Sequence, residues 1–361
     1  MERRRFLVKA GGVLAAAGAT AAVVDAPNVI AQPKYKWRLA TSWPPKFHPP
    51  GTGAELFAKA VDTMTDGRLK IEVYGGGELV PAFENFEACR AGTIEAGHSA
   101  AYYWAGKEPA TQWFTAVPFG LNTQGTQAWL VSGGGQALYD ELYSGFNLVP
   151  LRCGPTGIQM GGWFRKKISS IDDFKGLKMR IPGLGGKVIA KAGGTVTLLP
   201  VGDIFPSLER GVIDATEWVG PLQDERAGFY KATKLYYYPG WHEPGTASEL
   251  FFNRRAYDSL PKDIQRAVQA AAALADTWIL AEHEAGNAAA LERLLKRGVT
   301  LHRFPDAVLK EFRTLSDDVM REEAAKSGIA KKVFEHYEDF KKKWLAYSDL
   351  SEAAYYHMMS A

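Results

Sequence analysis

Apolar positions along this chain recur with two periods in turn, every second residue in some stretches and about every 3.6 in others. Residues 35–40 and 69–74 (LKIEVY) alternate and are expected as strands, whereas 53–64 repeats at helical spacing and closes at Asp66-Gly67. The pattern goes on to predict a helix over 81–91, a strand over 95–101 and a strand over 147–152. It also predicts one helix over 126–142, running through Gly133-Gly134-Gly135. A second unit opens at Gly154-Pro155, with strands expected over 159–164, 178–181, 195–199 and 215–219. Helices are expected between residues 181 and 195, over 204–210 and over 224–232. Residues 250–253 read as a strand returning to the first unit, 261–297 as one long Ala-rich helix, and the segment from Asp306 onward as further helices.

Repeated β-α-β order predicts an α/β fold with mostly parallel sheets. The division expected is a leader over 1–31, the first part of lobe I over 32–153 and lobe II over 154–248. A return to lobe I with a long bracing helix follows over 249–304, then C-terminal helices over 305–361. Two α/β lobes joined by crossing segments and braced by long helices fit these signals. The aromatic residues in 353–359 suit a homodimer contact through the C-terminal helices, or packing on their own chain.

The leader sets the compartment. Arg3-Arg4-Arg5-Phe6-Leu7 precedes a weakly apolar, Ala- and Gly-rich run over 10–24, and Val29-Ile30-Ala31 offers a cleavage site after Ala31. This reads as a twin-arginine export signal and a periplasmic destination, with a retained membrane anchor as the alternative. The run falls short of the roughly 18 apolar residues of a spanning helix. The whole chain carries a net charge of +3. Removing 1–31 takes away four basic and two acidic residues and leaves +1, a near-neutral balance that gives nucleic acid no footing. Cys89 and Cys153, the two cysteines of the chain, are expected as unpaired, buried thiols, although an oxidising compartment allows pairing.

Candidate chemistry lies in three short segments, GIQMGGWFR, GLKMRIPG, and IDATEWVGP followed by YYYPGWHEP. They supply the amide of Gln159, the guanidinium of Arg180, and the carboxylates of Glu217 and Glu243, without a nucleophile and histidine base. Arginine's planar fork can hold a carboxylate by two hydrogen bonds. Two glutamates, an amide oxygen and a backbone carbonyl such as that of Trp218 are hard ligands suited to Na⁺ or Ca²⁺. An anion and a cation side by side suggest a small organic acid that is held rather than transformed. Arg180 is followed by Pro182-Gly183-Leu184-Gly185-Gly186, a turn into a helix whose free amides also favour an anion. Val188 after Gly186-Lys187 lacks the hydroxyl that a phosphate-binding loop needs. Tyr102 and Tyr103 are expected to bring a hydroxyl to the cleft, and Asn253 completes the predicted substrate set. Glu282-His283-Glu284 is not a zinc-protease motif. The competing class is a metal-assisted hydrolase or lyase of organic acids with Glu217 or Glu243 as base.

From the leader through GELVP (77–81), the Tyr-Tyr-Trp run, GIQMGGWFR, GLKMR, GDIFPSLERGVIDATEWVGP and YYYPGW, the chain resembles the solute-binding proteins of TRAP transporters, nearest the branch that takes 2-oxo acids. The resemblance spans nearly the whole mature chain. It implies a two-lobed periplasmic receptor that delivers a small organic acid to TRAP permease membrane subunits by means of a sodium gradient. It implies substrate contacts at Gln159 and Arg180, and a metal ion bridging to the substrate at Gln159, Glu217, the Trp218 carbonyl and Glu243. The segment His242-Glu243-Pro244-Gly245-Thr246 replaces a more Trp- and Gly-rich stretch but keeps the glutamate. Pyruvate, a longer 2-oxo acid, or a 2-hydroxy acid such as lactate bound with Ca²⁺ all remain open.

Overall fold

The computed structural model describes residues 34–360, so the expected export signal lies outside the described residues. The chain runs β1 (Tyr35–Thr41), α1 (Pro50–Met64), β2 (Leu69–Tyr74), α2 (Asn85–Arg90), β3 (Ala96–Ser99), α3 (Thr123–Val131), α4 (Gly135–Ser144) and β4 (Leu148–Pro155). It continues through β5 (Gly162–Phe164), β6 (Lys178–Arg180), α5 (Gly183–Lys191), β7 (Thr195–Thr197), α6 (Val201–Glu209), β8 (Ala215–Thr216), α7 (Pro221–Ala227) and β9 (Leu235–Tyr238). The last part holds β10 (Ala247–Asn253), α8 (Arg254–Asp258), α9 (Lys262–Lys296), β11 (Thr300–Arg303), α10 (Asp306–Ala324), α11 (Gly328–Ser348) and α12 (Ala354–Ser360).

Two mixed sheets result, ordered β2-β1-β3-β10-β4 and β11-β9-β5-β8-β6-β7. Each has a single reversed strand, β10 in the first and β5 in the second. Both reversals have one cause. The chain leaves the first sheet at the carboxyl end of β4, crosses, and enters the second sheet at that same side, so β5 must run away from the seam. It returns after β9 in the same manner, and β10 runs away in turn. The carboxyl ends of the parallel strands of both sheets therefore face one cleft, where open α/β sheets place their ligands.

Three expectations are corrected. The helix expected over 126–142 is two helices, α3 and α4, because Gly134 takes φ +91, a left-handed conformation that breaks the ladder. The helix expected over 224–232 ends at Ala227, where Gly228 at φ +81 caps it. Residues 300–303 do not return to the first lobe: they form β11 and pair with β9 in the second sheet. Neither β9 nor β11 stood out from the sequence, since Leu235–Tyr238 is apolar or aromatic throughout and lacks alternation.

The 35 residues of α9 extend for about 52 Å. Its first half packs Ile264, Val268 and Ile279 into the core of the first lobe with Trp37, Phe57 and Phe252. Leu294 near its far end joins the second-lobe core with Trp163, Ile204 and Tyr236. On the opposite side α10 lies on α5, and α11 on α3 and α4. Glu323 of α10 links the two lobes, pairing with Lys187 of α5 at 2.8 Å and accepting from Gln112 at 3.3 Å. Cys89 and Cys153 are buried free thiols.

One buried carboxylate orders the first-lobe wall of the cleft. Glu249 in β10 accepts from the Trp104 indole at 2.8 Å and from the Tyr139 hydroxyl. Trp104 belongs to the 3₁₀ turn Ala101–Trp104, which carries Tyr102 and Tyr103, so this bond holds the tyrosines in place. Burial pushes the Glu249 carboxyl up from 4.5 to about 7. Across that interval the native protein keeps a proton that the unfolded chain releases, so this group makes stability fall as pH rises toward 7. Glu249→Gln is expected to remove that part of the slope. Urea midpoints measured between about pH 5 and 7.5 should drop more steeply for the wild type than for the variant. Parallel curves would refute the assignment.

Candidate functional site

The site follows from strand register. β6 pairs with β8 in parallel, with Arg180 opposite Thr216, so Glu217 is the next residue past the end of the ladder. Its amide still bonds the Arg180 carbonyl at 3.2 Å. The Arg180 Nη1 group donates to the Glu217 carboxylate and, at 3.2 Å, to the Glu217 carbonyl, while Nε donates to the Leu199 carbonyl at 3.2 Å. Both side chains are only 1% exposed. The guanidinium lies over the Trp218 ring, 5.0 Å from its centre. Of the fork expected from the sequence, one prong is thus committed to Glu217, and Nη2 alone is left without a protein partner.

Gln159 and Glu243 come from the two crossing segments, which run side by side. Thr156 bonds the Thr246 carbonyl at 3.2 Å, and Gln159 the Glu243 carbonyl at 3.3 Å. Gly240 makes this approach possible, because a Cβ there would stand 2.1 Å from the Gln159 carbonyl oxygen. Gln159 Nε2 donates to Glu243 at 2.8 Å and to Thr246 Oγ1 at 3.1 Å, and Thr246 donates to the same glutamate oxygen at 2.7 Å. The amide oxygen of Gln159 is buried and has no protein partner.

Both glutamates meet His242. Ligand atoms of Glu217, His242 and Glu243 all lie within 4.8 Å of one another, and His242 Nε2 is 3.2 Å from Glu217. Burial pushes Glu217 up to about 7 against the pull of Arg180. Glu243 is also raised to about 7, by burial first and by the Glu217 charge second. Burial lowers His242 to about 4, so its imidazole is neutral. One guanidinium against two carboxylates leaves the fully ionised site at −1. With Gln159 Oε1 turned to no protein donor, the site offers three hard oxygens and an excess negative charge. That donor set fits a cation such as Na⁺ or Ca²⁺.

The aromatic residues enclose the space above. Tyr102 and Tyr103 meet edge to face, 4.7 Å between centres, and Gly183 at the start of α5 sits against Tyr102. Trp218 donates its indole N–H to Gln223 at 2.7 Å, and Gln223 reaches His283 of α9 at 2.5 Å. Tyr102, Tyr103, Trp218, Gln223 and His283, together with Trp43, Gln159 and Thr246, wall one small cavity.

Of the residues singled out from sequence, Gln159, Arg180, Glu217, Trp218, Glu243, Tyr102 and Tyr103 gather at this cleft. Asn253 does not. It lies six residues along β10 from Ala247, about 20 Å from the cleft end of that strand. Its side chain caps α8 through the Ala256 amide at 3.1 Å and bonds the Cys89 carbonyl at 2.9 Å. An asparagine before a helix is a capping signal, and that reading prevails. Sequence reasoning passed over His242, Thr246, Trp43, Gln223 and His283. His242 was visible as the neighbour of Glu243; the others carry no local signal.

The model of the bacterial extracellular solute-binding proteins, family 7 (DctP), matches residues 39–327. A monocarboxylate 2-oxoacid-binding periplasmic protein of Nostoc sp. is 44% identical over 331 residues, covering 91% of this chain and 90% of that protein. A TRAP transporter solute-binding protein from Bordetella bronchiseptica superposes with TM-score 0.89 and 36% identity over 91% of this chain and 98% of its own. It is described as a mixed-occupancy dimer, with copurified calcium and picolinate in one active site. Another, from Pseudoalteromonas atlantica with bound sodium and pyruvate, gives TM-score 0.87 and 38% identity over 90% and 98% of the two chains.

The Arg180–Glu217 pair makes a prediction about the scaffold alone. Removing one partner of a buried pair strands the other charge. Arg180→Met is expected to lower unfolding free energy by about 3–5 kcal/mol, and adding Glu217→Gln should recover part of the loss, with a coupling of about 0.5–3 kcal/mol. Urea denaturation of the wild type, both single variants and the double variant measures it. Strictly additive effects would show that the two side chains act independently.

Proposed function

The chain belongs to family 7 of the bacterial extracellular solute-binding proteins, and we propose that it is the periplasmic receptor of a TRAP transporter. It captures a small 2-oxo monocarboxylate, pyruvate or a longer homologue, with a bridging Na⁺ or Ca²⁺, and delivers it to the membrane permease. The observation that carries this reading is the buried meeting of Glu217, Glu243 and the free Gln159 amide oxygen beside the Arg180 guanidinium. An anion has no reason to enter a pocket with surplus negative charge unless a cation enters with it. Pyruvate and picolinate, bound by the two similar proteins, share one feature: a carboxylate with a second donor atom on the adjacent carbon. Such an acid can chelate a cation through both donors.

Glu217, Glu243, Gln159 Oε1 and the Trp218 carbonyl would hold the ion, which would supply charge neutralisation and a shared anchor for the ligand. Arg180 Nη2 faces the acid as a charged donor, with the amides at the start of α5 and the tyrosine hydroxyls as further donors. Two glutamates and a bound acid sum to −3, which Arg180 with Ca²⁺ neutralises; Na⁺ leaves one negative charge. The crossing segments act as the hinge of closure. The leader's Arg3-Arg4-Arg5-Phe6-Leu7 supports export by the twin-arginine route.

Titration calorimetry on chelated, sodium-free protein tests this. Metal and acid should bind with positive coupling, each strengthening the other by the same factor. Glu217→Gln should weaken both, and Arg180→Lys should weaken the acid tenfold or more, the loss of a charged hydrogen bond of about 1.5–3 kcal/mol. Stripped protein that binds 2-oxo acids as tightly as the loaded form would defeat the bridging-ion reading.

The C-terminal segment supports a homodimer. Tyr347, Leu350 and Tyr356 are 70%, 82% and 67% exposed, an apolar face at odds with a free surface. A chain ending at Ala346 is expected to sediment as a monomer and the full chain as a dimer. Equal masses would end this proposal.

A further inference from the structure

We infer that Trp43 sets the upper size of the side chain on the bound acid. This rests on the 2-oxo-acid reading and adds to it a residue that decides which acids fit. Trp43 stands just beyond β1 in the first lobe, and its ring meets that of Trp218, from the second lobe, edge to face at 6.1 Å. Phe47, from the same segment, packs on Trp218 at 6.3 Å. Residues 42–50 thus form an aromatic wall that the first lobe lays over the ring behind which Arg180 sits.

The wall is rigid. The Trp43 indole N–H donates to His98 Nδ1 at 2.8 Å, and His98 Nε2 faces the Cys153 carbonyl at 3.0 Å, which assigns the proton to Nε2 and leaves Nδ1 as acceptor. His98 is fully buried, and that burial keeps it neutral, lowered to about 4. The Trp43 carbonyl accepts from Gly76 at 2.6 Å and from Thr41 Oγ1 at 3.0 Å. Trp218 is held in the same manner, its N–H turned toward Gln223. The Trp43 N–H is spent on His98, which does not line the cavity, so this ring presents carbon to it.

Tyr102 and Tyr103 are the other bulky first-lobe residues lining the cavity, and they bring hydroxyls to it; the remaining neighbours are small. Ala100, Gly154, Thr156, Thr246 and Ser248 face the same space. Gly154 takes φ +102, and a Cβ there would already touch Ile279 at 3.2 Å. With the tyrosines turned to the acid as donors, Trp43 is the first-lobe ring that presents only carbon to the cavity, and its removal enlarges the cavity while Arg180, Glu217 and Glu243 stay in place on the other lobe and the crossing segments. A longer side chain directed away from the carboxylate would meet this ring. One methylene gained or lost in an apolar pocket shifts discrimination by about 10–200-fold.

The test is a comparison of affinities for pyruvate and for a 2-oxo acid bearing a four-carbon side chain, in metal-loaded full-length protein. Trp43→Leu is expected to raise the affinity for the longer acid relative to pyruvate by about tenfold or more. Trp43→Phe should move the ratio in the same direction by less, and it decides the matter if the leucine variant fails to fold. The readout is the ratio of the two affinities in each variant, so a loss common to both acids leaves it unmoved and separates loss of the site from loss of selectivity. Wild-type binding of 2-oxo acids with an unchanged ratio in both variants would overturn the role of Trp43 and leave the function standing. Wild-type protein that binds neither acid would overturn the function and this inference together.

Discussion

Burying three ionisable side chains where two sheets meet is the constraint on which the rest of this structure turns. Arg180 and Glu217 are withdrawn from water at the end of β6 and just past β8, and Glu243 joins them from a crossing segment. Desolvation of this kind is expensive, and a buried pair is seldom a net source of stability. The cost is visible in the carboxyls, both raised to about 7 by burial. On the proposed function, a cation and an anionic ligand would relieve it together.

Topology decides which residues can take part. With the parallel strands of both sheets ending at the seam, residues just past a carboxyl end become cleft residues. Trp43 follows β1, the tyrosines follow β3, Arg180 ends β6 and Glu217 follows β8. The reversed strands β5 and β10 start at the seam, which places Gln159 and Thr246 just ahead of them. The crossing segments thus also line the cleft. Their close packing depends on Gly240, where any side chain would drive the two segments apart.

Around that seam the fold builds support from buried hydrogen bonds to aromatic residues. Glu249 holds Trp104, Asp224 accepts from Trp163 and Tyr236, and His98 holds Trp43. Asp224 also bonds the Val219 amide at 3.2 Å, steadying the loop that carries Glu217 and Trp218. Each is a polar group with its partners supplied, as burial demands. Gln223 and His283 extend the support from Trp218 to α9, which touches the cores of both lobes.

Local chemistry in the chain was enough to specify much of this. Alternation in 69–74 and helical spacing in 53–64 and 261–297 mark elements whose side chains bury on one face whatever surrounds them. The donor types of Gln159, Arg180, Glu217 and Glu243 already pointed to an acid and a hard cation. Where a local signal had two readings, tertiary structure chose between them. Gly134 proved a helix break and Asn253 a helix cap, since backbone conformation is settled by packing on both sides. β9 and β11 were hidden because their burial comes from a neighbouring sheet rather than from their own periodicity. The sequence likewise could not say that Glu217 takes one prong of Arg180, which follows from the β6–β8 register. Nor could it bring Trp43 to the site, for its meeting with Trp218 spans residues far apart in the chain and exists only once the two lobes share a seam.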